Sequence, residues 1–530
     1  MWLKWWLAFF VALSYFLTSI RGHSLHPKLL LISFDGFRYD YLDLAARRNA
    51  NISGFLKIWD SGFRAQWVEN EFTTRTGPSH FSIVTGRHEE SHGIIDNVFF
   101  DPELNKTFFF SSNLSMRESY WFDVGAEPIW VTNQRQGHKS GVIFWPGSTT
   151  PIKGIVPTAA YPVYNSSIPL KTRIDDVVRW LTEENMNLAL LYYHEPDSQG
   201  HKTGPNSPEL LKTIEELNEA IEYLLRKIKE NKVLSLSLNI ILTSDHGMIE
   251  VSRNDVIILE NYLDEKMYFS PGPSVRVLWG LWPVGGYTQK NIIEKLSGKH
   301  EHLHVYRKED VPPRLFYSAS SRIAPVVVYP DPGWLIAKST KDILTMDRHG
   351  DHGYDTQCPE MRPFFLAMGP GFARLSGNRT VPPIKMIDIY PMMCQLLELN
   401  DSGSHNGSLS RVLFLLHHEK GHHWFGTSGD FISRSHSTRH RMQMRRLQRE
   451  RGGGRGVETP TADGLLTKPL TNTLNGSRTD HNTDVPEDAH RLLESASTEE
   501  AEENMKRSKQ FYVDDETFIK MLPEPTSRYP

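Results

Sequence analysis

Three stretches of this chain share one pattern, an apolar run that stops at an acid: KLLLISFDG at 28–36, NLALLYYHEPDSQGH at 187–201 and LNIILTSDHG at 238–247. Runs with no polar alternation predict strands buried on both faces of a parallel sheet. Longer amphipathic segments lie around them. Between Ser207 and Lys232, residues Leu210, Leu211, Ile214, Leu217, Ile221, Leu224, Leu225 and Ile228 form one stripe at helical spacing. Ser207 suits the N-cap of that helix and Pro208 its first position. Arg173 to Met186 predicts a second amphipathic helix. From about residue 27 to 400 the alternation predicts a doubly wound α/β sheet flanked by helices. Residues 255–345 break it with many Pro, Gly and aromatic residues, and are expected to form an insertion covering part of the site.

Open α/β sheets gather ligand chemistry at the C-terminal ends of their strands. Asp35, the Asp197 and His201 pair, and the Asp245-His246 dipeptide all fall there. A fourth segment, DRHGDHGYD at 347–355, crowds His349, Asp351 and His352 between glycines. An isolated Asp after a strand is ordinarily a turn or cap residue. Several acids and imidazoles delivered from separate strand ends are what a two-metal site needs. Mixed carboxylate and imidazole ligands without cysteine favour zinc over magnesium or calcium. Gly200 and the Pro196-Asp197 pair predict a loop around Asp197 and His201, so that a turn sets their spacing.

Residues 72–86 read FTTRTGPSHFSIVTG, a polar start followed by a segment of helical character. Thr76 is placed just before a helix N-terminus, where backbone N–H groups favour an anion. Two roles fit it: a nucleophile activated by a metal, or an N-cap. Asn97, in ESHGIIDN at 90–97, is a donor that could hold a developing oxyanion.

Together the motifs FDGFR (34–38), TRTGPSHFSIVTG (74–86), EESHGI (89–94), EPDSQGHKTGP (195–205), SDHGM (244–248) and GDHGYD (350–355) resemble the ectonucleotide pyrophosphatase/phosphodiesterase family of the alkaline-phosphatase-like superfamily. PIWVTNQ (128–134), IFWPGS (143–148) and IDIYPMMCQLL (387–397) extend the resemblance over roughly residues 27–400, closest to the small single-domain members. The resemblance implies an enzyme with two Zn²⁺ per chain. Asp35, Thr76, Asp245 and His246 would hold one ion, and Asp197, His201 and His352 the other. Thr76 would be the nucleophile, Asn97 the oxyanion helper, and Trp145 and Tyr164 substrate-binding residues. The implied substrate is a small phosphodiester, a nucleotide or a choline phospholipid headgroup. The chain departs from the nucleotide-cleaving pattern at Gly77, where an aromatic that stacks on a base is usual, and at Ser79, where Asn is usual. A sulfatase would need Cys or Ser ahead of a Pro-Arg motif, which Thr76-Gly77-Pro78-Ser79 does not offer. The reading from another class is a secreted glycan- or partner-binding protein with impaired catalysis.

Composition changes the picture in three ways. The net charge of −4 carries no general nucleic-acid signal. Lys4 followed by an apolar run from Trp5 to Ile20 reads as a secretory signal over 1–22, with an uncleaved type II anchor as the alternative. No later run is long enough to span a membrane, so no C-terminal anchor is expected. Eight sequons, at Asn51, Asn105, Asn113, Asn165, Asn378, Asn400, Asn406 and Asn475, then fit an extracellular glycoprotein. The only cysteines, Cys358 and Cys394, allow one disulfide or two buried thiols. The catalytic domain is expected over 27–415. Residues 416–530 read as a disordered tail, with eight arginines in the 22 positions of 434–455. That basic stretch reads as a solvated linker, as a contact for acidic glycans, or as a processing site at Arg445-Arg446.

Overall fold

The computed structural model describes residues 27–417, apart from 376–378 and 401. The expected signal segment, the basic stretch and the remainder of the tail lie outside the described residues, as do the sequons Asn378 and Asn475. Among the described residues no helix is long and apolar enough to cross a membrane.

The elements that matter for the site are, in chain order, β1 (Lys28–Phe34), β2 (Phe63–Ala65), α1 (Thr76–Thr85), β3 (Val98–Asp101), β4 (Lys106–Phe109), β5 (Ser140–Ile143), β6 (Ala159–Ala160), α2 (Leu170–Thr182), β7 (Leu188–Tyr193), α3 (Asp197–Thr203), α4 (Pro208–Glu230), β8 (Leu238–Thr243), β9 (Phe365–Met368), β10 (Thr380–Val381) and α5 (Ile389–Leu396). An eight-stranded sheet runs in the order β10-β2-β9-β8-β1-β7-β5-β6. β1 pairs parallel with both β7 and β8, and β5 parallel with β7 and β6. β9 runs antiparallel to β8 and β2. This is the mostly parallel, helix-flanked α/β sheet the hydrophobic pattern predicts. Every residue of β1 and β8 is buried, which is why neither strand alternates.

Register decides where the chemistry emerges. Ser33 pairs with Thr243 on one side and with Tyr192 on the other. Asp35 and Asp245 each lie two residues beyond that pair, so two adjacent strands release their carboxylates at the same level. Gly36 then turns the chain at φ 65°, a conformation that disfavours any side chain. A Cβ there would also lie 2.8 Å from Cβ of Asp197.

Helix α4 has Ser207 as its N-cap, with Oγ accepting from the Leu210 amide at 3.1 Å. Helix α2 is shifted from the expected span. It starts behind Pro169 and is over by Glu183, before Asn185 enters the left-handed region at φ 55°. The expected loop at Asp197 is a correction. Asp197 and His201 sit one turn apart on α3, which begins behind Pro196. Gly200 does not break this helix; it lets the helix pack closely on Met248, whose Cε would be 3.2 Å from a Cβ at that position.

The insertion forms small sheets of its own. One has strands Tyr268–Phe269, Trp279–Pro283, Val326–Pro330 and Leu303–Arg307 in that order. It has a separate core that includes Ile257, Leu281, Ile292 and Val328. It grips the segment that carries Asn97. Arg322 donates to Asp101 and to the Gly93 and Trp121 carbonyls, and the Tyr317 hydroxyl donates to the Ile95 carbonyl. Both cysteines are buried thiols, which settles the alternative left by the sequence. Burial and the neighbouring Glu360 carboxylate push the Cys358 thiol up to about 12.

Candidate active site

Two groups of ligand-type side chains stand at the C-terminal edge of the sheet. Asp35, Asp245 and His246 form one; Asp197, His201 and His352 form the other, and in each the ligand atoms lie within 4.8 Å of one another. Nε2 of His246 is the hub of the first. It lies 3.3 Å from Oδ1 of Asp35, 3.1 Å from Oδ2 of Asp245 and 3.4 Å from Oγ1 of Thr76. In the second, Oδ1 of Asp197 lies 3.4 Å from Nε2 of His201 and 3.7 Å from Nε2 of His352. The rings of His246 and His352 stack at 3.5 Å and join the groups. The first group is sealed. The second opens to solvent, with the Asp197 and His201 side chains 16 % and 26 % exposed.

The imidazoles are oriented for coordination. Nδ1 of His246, His201 and His352 each faces a backbone carbonyl, of Gly247, Gly350 and Thr74, at 2.9, 2.7 and 2.9 Å. A carbonyl only accepts, so each Nδ1 carries the proton and each Nε2 turns its lone pair toward the carboxylates. Oδ1 of Asp35, Oδ1 of Asp197 and Oδ2 of Asp245 are buried without a hydrogen-bond partner. Buried unpaired carboxylate oxygens are costly, and these lie where the imidazole lone pairs converge. Both observations fit a bound cation in each group.

The charges agree. Burial raises Asp35 well above the ordinary carboxylate value, and the charges of Asp245 and Asp197 raise it further. Burial likewise raises Asp197. Asp245 is lowered: burial opposes its ionisation, but His246 and His80 more than offset that. Burial and the neighbouring His246 hold His352 well below its usual range. These carboxylates repel one another until positive charge is brought between them.

Thr76 is the first residue of α1, whose N-cap is Arg75. The N-cap role for Thr76 is therefore excluded, and its hydroxyl faces His246. The Gly77 amide donates to Oδ1 of Asn97 at 2.8 Å. That bond fixes the Asn97 amide and leaves its Nδ2 hydrogens as the available donors beside the helix start. Tyr164 is half-buried and packs against Tyr192 and Phe144, with ring centroids 5.9 and 5.1 Å apart. Trp145 differs from expectation. It is 1 % exposed, and its indole N–H donates to the His80 carbonyl at 3.0 Å. It supports α1 from the core and offers a ligand no surface.

Two residues at the site, Tyr192 and His80, were not anticipated, and Asp351 was read only as part of the glycine-flanked 347–355 segment. The Tyr192 hydroxyl donates to Oδ2 of Asp35 at 2.6 Å and so points the other oxygen at His246. His80 is fully buried; Nδ1 donates to the Thr76 carbonyl at 2.8 Å, and Nε2 accepts from Ser33 at 2.9 Å. Asp351 accepts from Arg348 and from the His352 amide, and Arg75 lies 3.7 Å away. The sequence held a signal for His80, one helical turn after Thr76. Tyr192 needed the strand register.

A family model described as type I phosphodiesterase / nucleotide pyrophosphatase matches residues 29–355. Human ectonucleotide pyrophosphatase/phosphodiesterase family member 5 is 38 % identical over 416 residues, covering 77 % of this chain and 83 % of the relative. Mouse bis(5'-adenosyl)-triphosphatase enpp4 is 39 % identical over 416 residues, covering 75 % and 84 %. A solved structure of inactive murine ectonucleotide pyrophosphatase/phosphodiesterase 5 in complex with AMP superposes with a TM-score of 0.68 at 37 % identity, covering 74 % of this chain and 100 % of that one. The chain belongs to the ectonucleotide pyrophosphatase/phosphodiesterase family of alkaline-phosphatase-like hydrolases, among its small single-domain members.

Proposed function

We propose that the chain is a secreted, zinc-dependent phosphodiesterase and pyrophosphatase that cleaves extracellular nucleotides through a phospho-threonine intermediate on Thr76. The observation that carries this reading is the Thr76 hydroxyl 3.4 Å from His246 Nε2, among buried carboxylate oxygens that lack partners. Asp35, Thr76, Asp245 and His246 would hold one Zn²⁺, and Asp197, His201 and His352 the other. Mixed carboxylate and imidazole ligands support zinc. Such ions supply Lewis-acid polarisation of the phosphoryl oxygens and a lowered hydroxyl pKa.

The chain's own residues do the rest. Thr76 gives up its hydroxyl proton to solvent and Oγ1 attacks phosphorus in line, forming a P–O bond as the leaving oxygen departs with its electron pair and takes a proton from water. Nδ2 of Asn97 donates to the charge that develops on a non-bridging oxygen. The start of α1 favours the same charge. Tyr192 and His80 keep Asp35 and the helix start from moving during the exchange. Water then attacks the phospho-threonine, releasing the phosphorylated product and restoring the hydroxyl. The AMP in the murine complex and the triphosphatase name of the mouse relative support a nucleotide over a choline headgroup. Exposed sequon residues Asn51, Asn105, Asn113, Asn400 and Asn406 support an extracellular site.

The test is a substrate panel with the zinc-loaded protein: the nitrophenyl ester of thymidine 5'-monophosphate, nitrophenyl phosphocholine, nitrophenyl phosphate and an aryl sulfate. The nucleotide diester should be cleaved best, and Thr76→Ala should lower its turnover by about a thousandfold or more. Undiminished turnover by Thr76→Ala would remove the nucleophile. A preference for the choline ester would move the substrate class.

A further inference from the structure

Position 77 follows the nucleophile directly and carries no side chain. The space beside it is filled from elsewhere. A Cβ built on Gly77 would lie 3.1 and 3.4 Å from Cδ2 and Cε2 of Phe110, and 3.0 Å from Oδ1 of Asn97. Even a methyl group would have to push the Phe110 ring aside, so Gly77 and Phe110 are a matched pair. The ring is held in place by backbone. Phe110 follows β4 in the β3–β4 hairpin, and its amide donates to the Asn97 carbonyl at 2.8 Å. Asn97 in turn accepts the Gly77 amide at 2.8 Å through its side chain. Thr76-Gly77, Asn97 and Phe110 are thus tied into one unit, though 33 residues separate Gly77 from Phe110. The Phe110 ring packs on the main core and is partly buried.

We propose that Phe110 is a specificity-determining residue: its ring, which fills the space beside Gly77, is the wall next to Thr76 on which the base of a nucleotide substrate stacks. The inference rests on the nucleotide reading above and deepens it. An aromatic face next to the nucleophile favours a planar group carried by the phosphate, because stacking removes two apolar faces from water at once. The aromatic reaches the site from a hairpin, so its contribution is separable from the helix that carries Thr76.

The experiment is equilibrium binding of AMP, ribose 5-phosphate and phosphocholine to the full-length, zinc-loaded chain, by calorimetry. Ribose 5-phosphate reports the phosphate contacts alone, and the ratio of AMP to ribose 5-phosphate affinity reports the base. The wild type should prefer AMP by about tenfold or more. Phe110→Leu, which keeps an apolar side chain but no π face, should bring the ratio close to one, and Phe110→Trp should preserve it. Ribose 5-phosphate affinity in Phe110→Leu verifies that the site is intact. A ratio that Phe110→Leu does not move, or a wild type that binds phosphocholine better than AMP, would overturn the proposal. A ratio that responds to Phe110 in a protein that cleaves none of the diesters would leave the wall standing and overturn the activity instead.

Discussion

Thr76 and Gly77 are neighbours in sequence but belong to two differently built regions. Thr76 faces a cluster assembled from the ends of β1, β7 and β8, where Asp35 and the three imidazoles are each held by a second contact and most side chains are sealed from water. Gly77 faces a wall assembled from what fills space, the Phe110 ring delivered from a hairpin. The cluster is set by strand register, so its residues cannot be exchanged without losing the geometry. The wall is set by volume: position 77 has no side chain, and a ring from elsewhere in the chain occupies the space beside it. The proposed chemistry therefore rests on the first region and the proposed choice of substrate on the second.

The comparison breaks if the cluster tolerates change. Asp245→Asn should cost the largest effect, about a thousandfold in turnover or more, together with loss of bound metal measured by elemental analysis of the dialysed protein. Retained metal and turnover would mean that the unpaired carboxylate oxygens do not define the site. Trp145 sharpens the boundary between the regions. As a buried core residue, Trp145→Ala should cost about 3–5 kcal/mol in denaturant unfolding. The variant should still prefer AMP to ribose 5-phosphate as the wild type does; a shifted preference would return Trp145 to the wall.

Tyr192→Phe tests the second contact on Asp35. Removing the 2.6 Å bond should lower metal affinity or turnover about 10- to 100-fold, read by metal titration and steady-state kinetics, with little change in unfolding. The smallest effect concerns Asp351. Burial opposes its ionisation, but Arg348 and Arg75 hold its pKa at about 2. A depressed carboxylate pKa contributes stability above the unfolded value of about 4 and loses it as pH falls toward 2. In metal-free protein, Asp351→Asn should flatten that part of the acid limb by about 2 kcal/mol, measured as unfolding free energy against pH. An unchanged limb would show that the arginines are not what keeps the 350–352 segment under His352.

The same division explains what could be read from the chain. Asp35, Asp245 and His246 were legible because a buried strand that stops at an acid is a local pattern, and the parallel sheet follows from the same runs. Asp197 and His201 were legible as residues but not as a helix. Pro196 and Gly200 suggest a loop when read locally, whereas Pro196 precedes the helix and Gly200 sits against Met248. Tyr192 became visible only with the register that sets its strand beside Asp35. Phe110 left no local trace, since its role exists only because Gly77 is empty and a hairpin happens to end there. Trp145 showed the converse: a motif match located it correctly near α1 but could not say which way its ring faces.

The central claim is that Thr76 becomes covalently phosphorylated during turnover. It is tested most directly by mixing the zinc-loaded protein with a nucleotide diester, quenching in acid on the millisecond scale and mapping the peptides by mass spectrometry. A phosphoryl-nucleoside adduct on the peptide containing Thr76, absent from Thr76→Ala and decaying at the rate of turnover, is the predicted result. Rapid turnover with no adduct at any time, or an adduct on another residue, would contradict it.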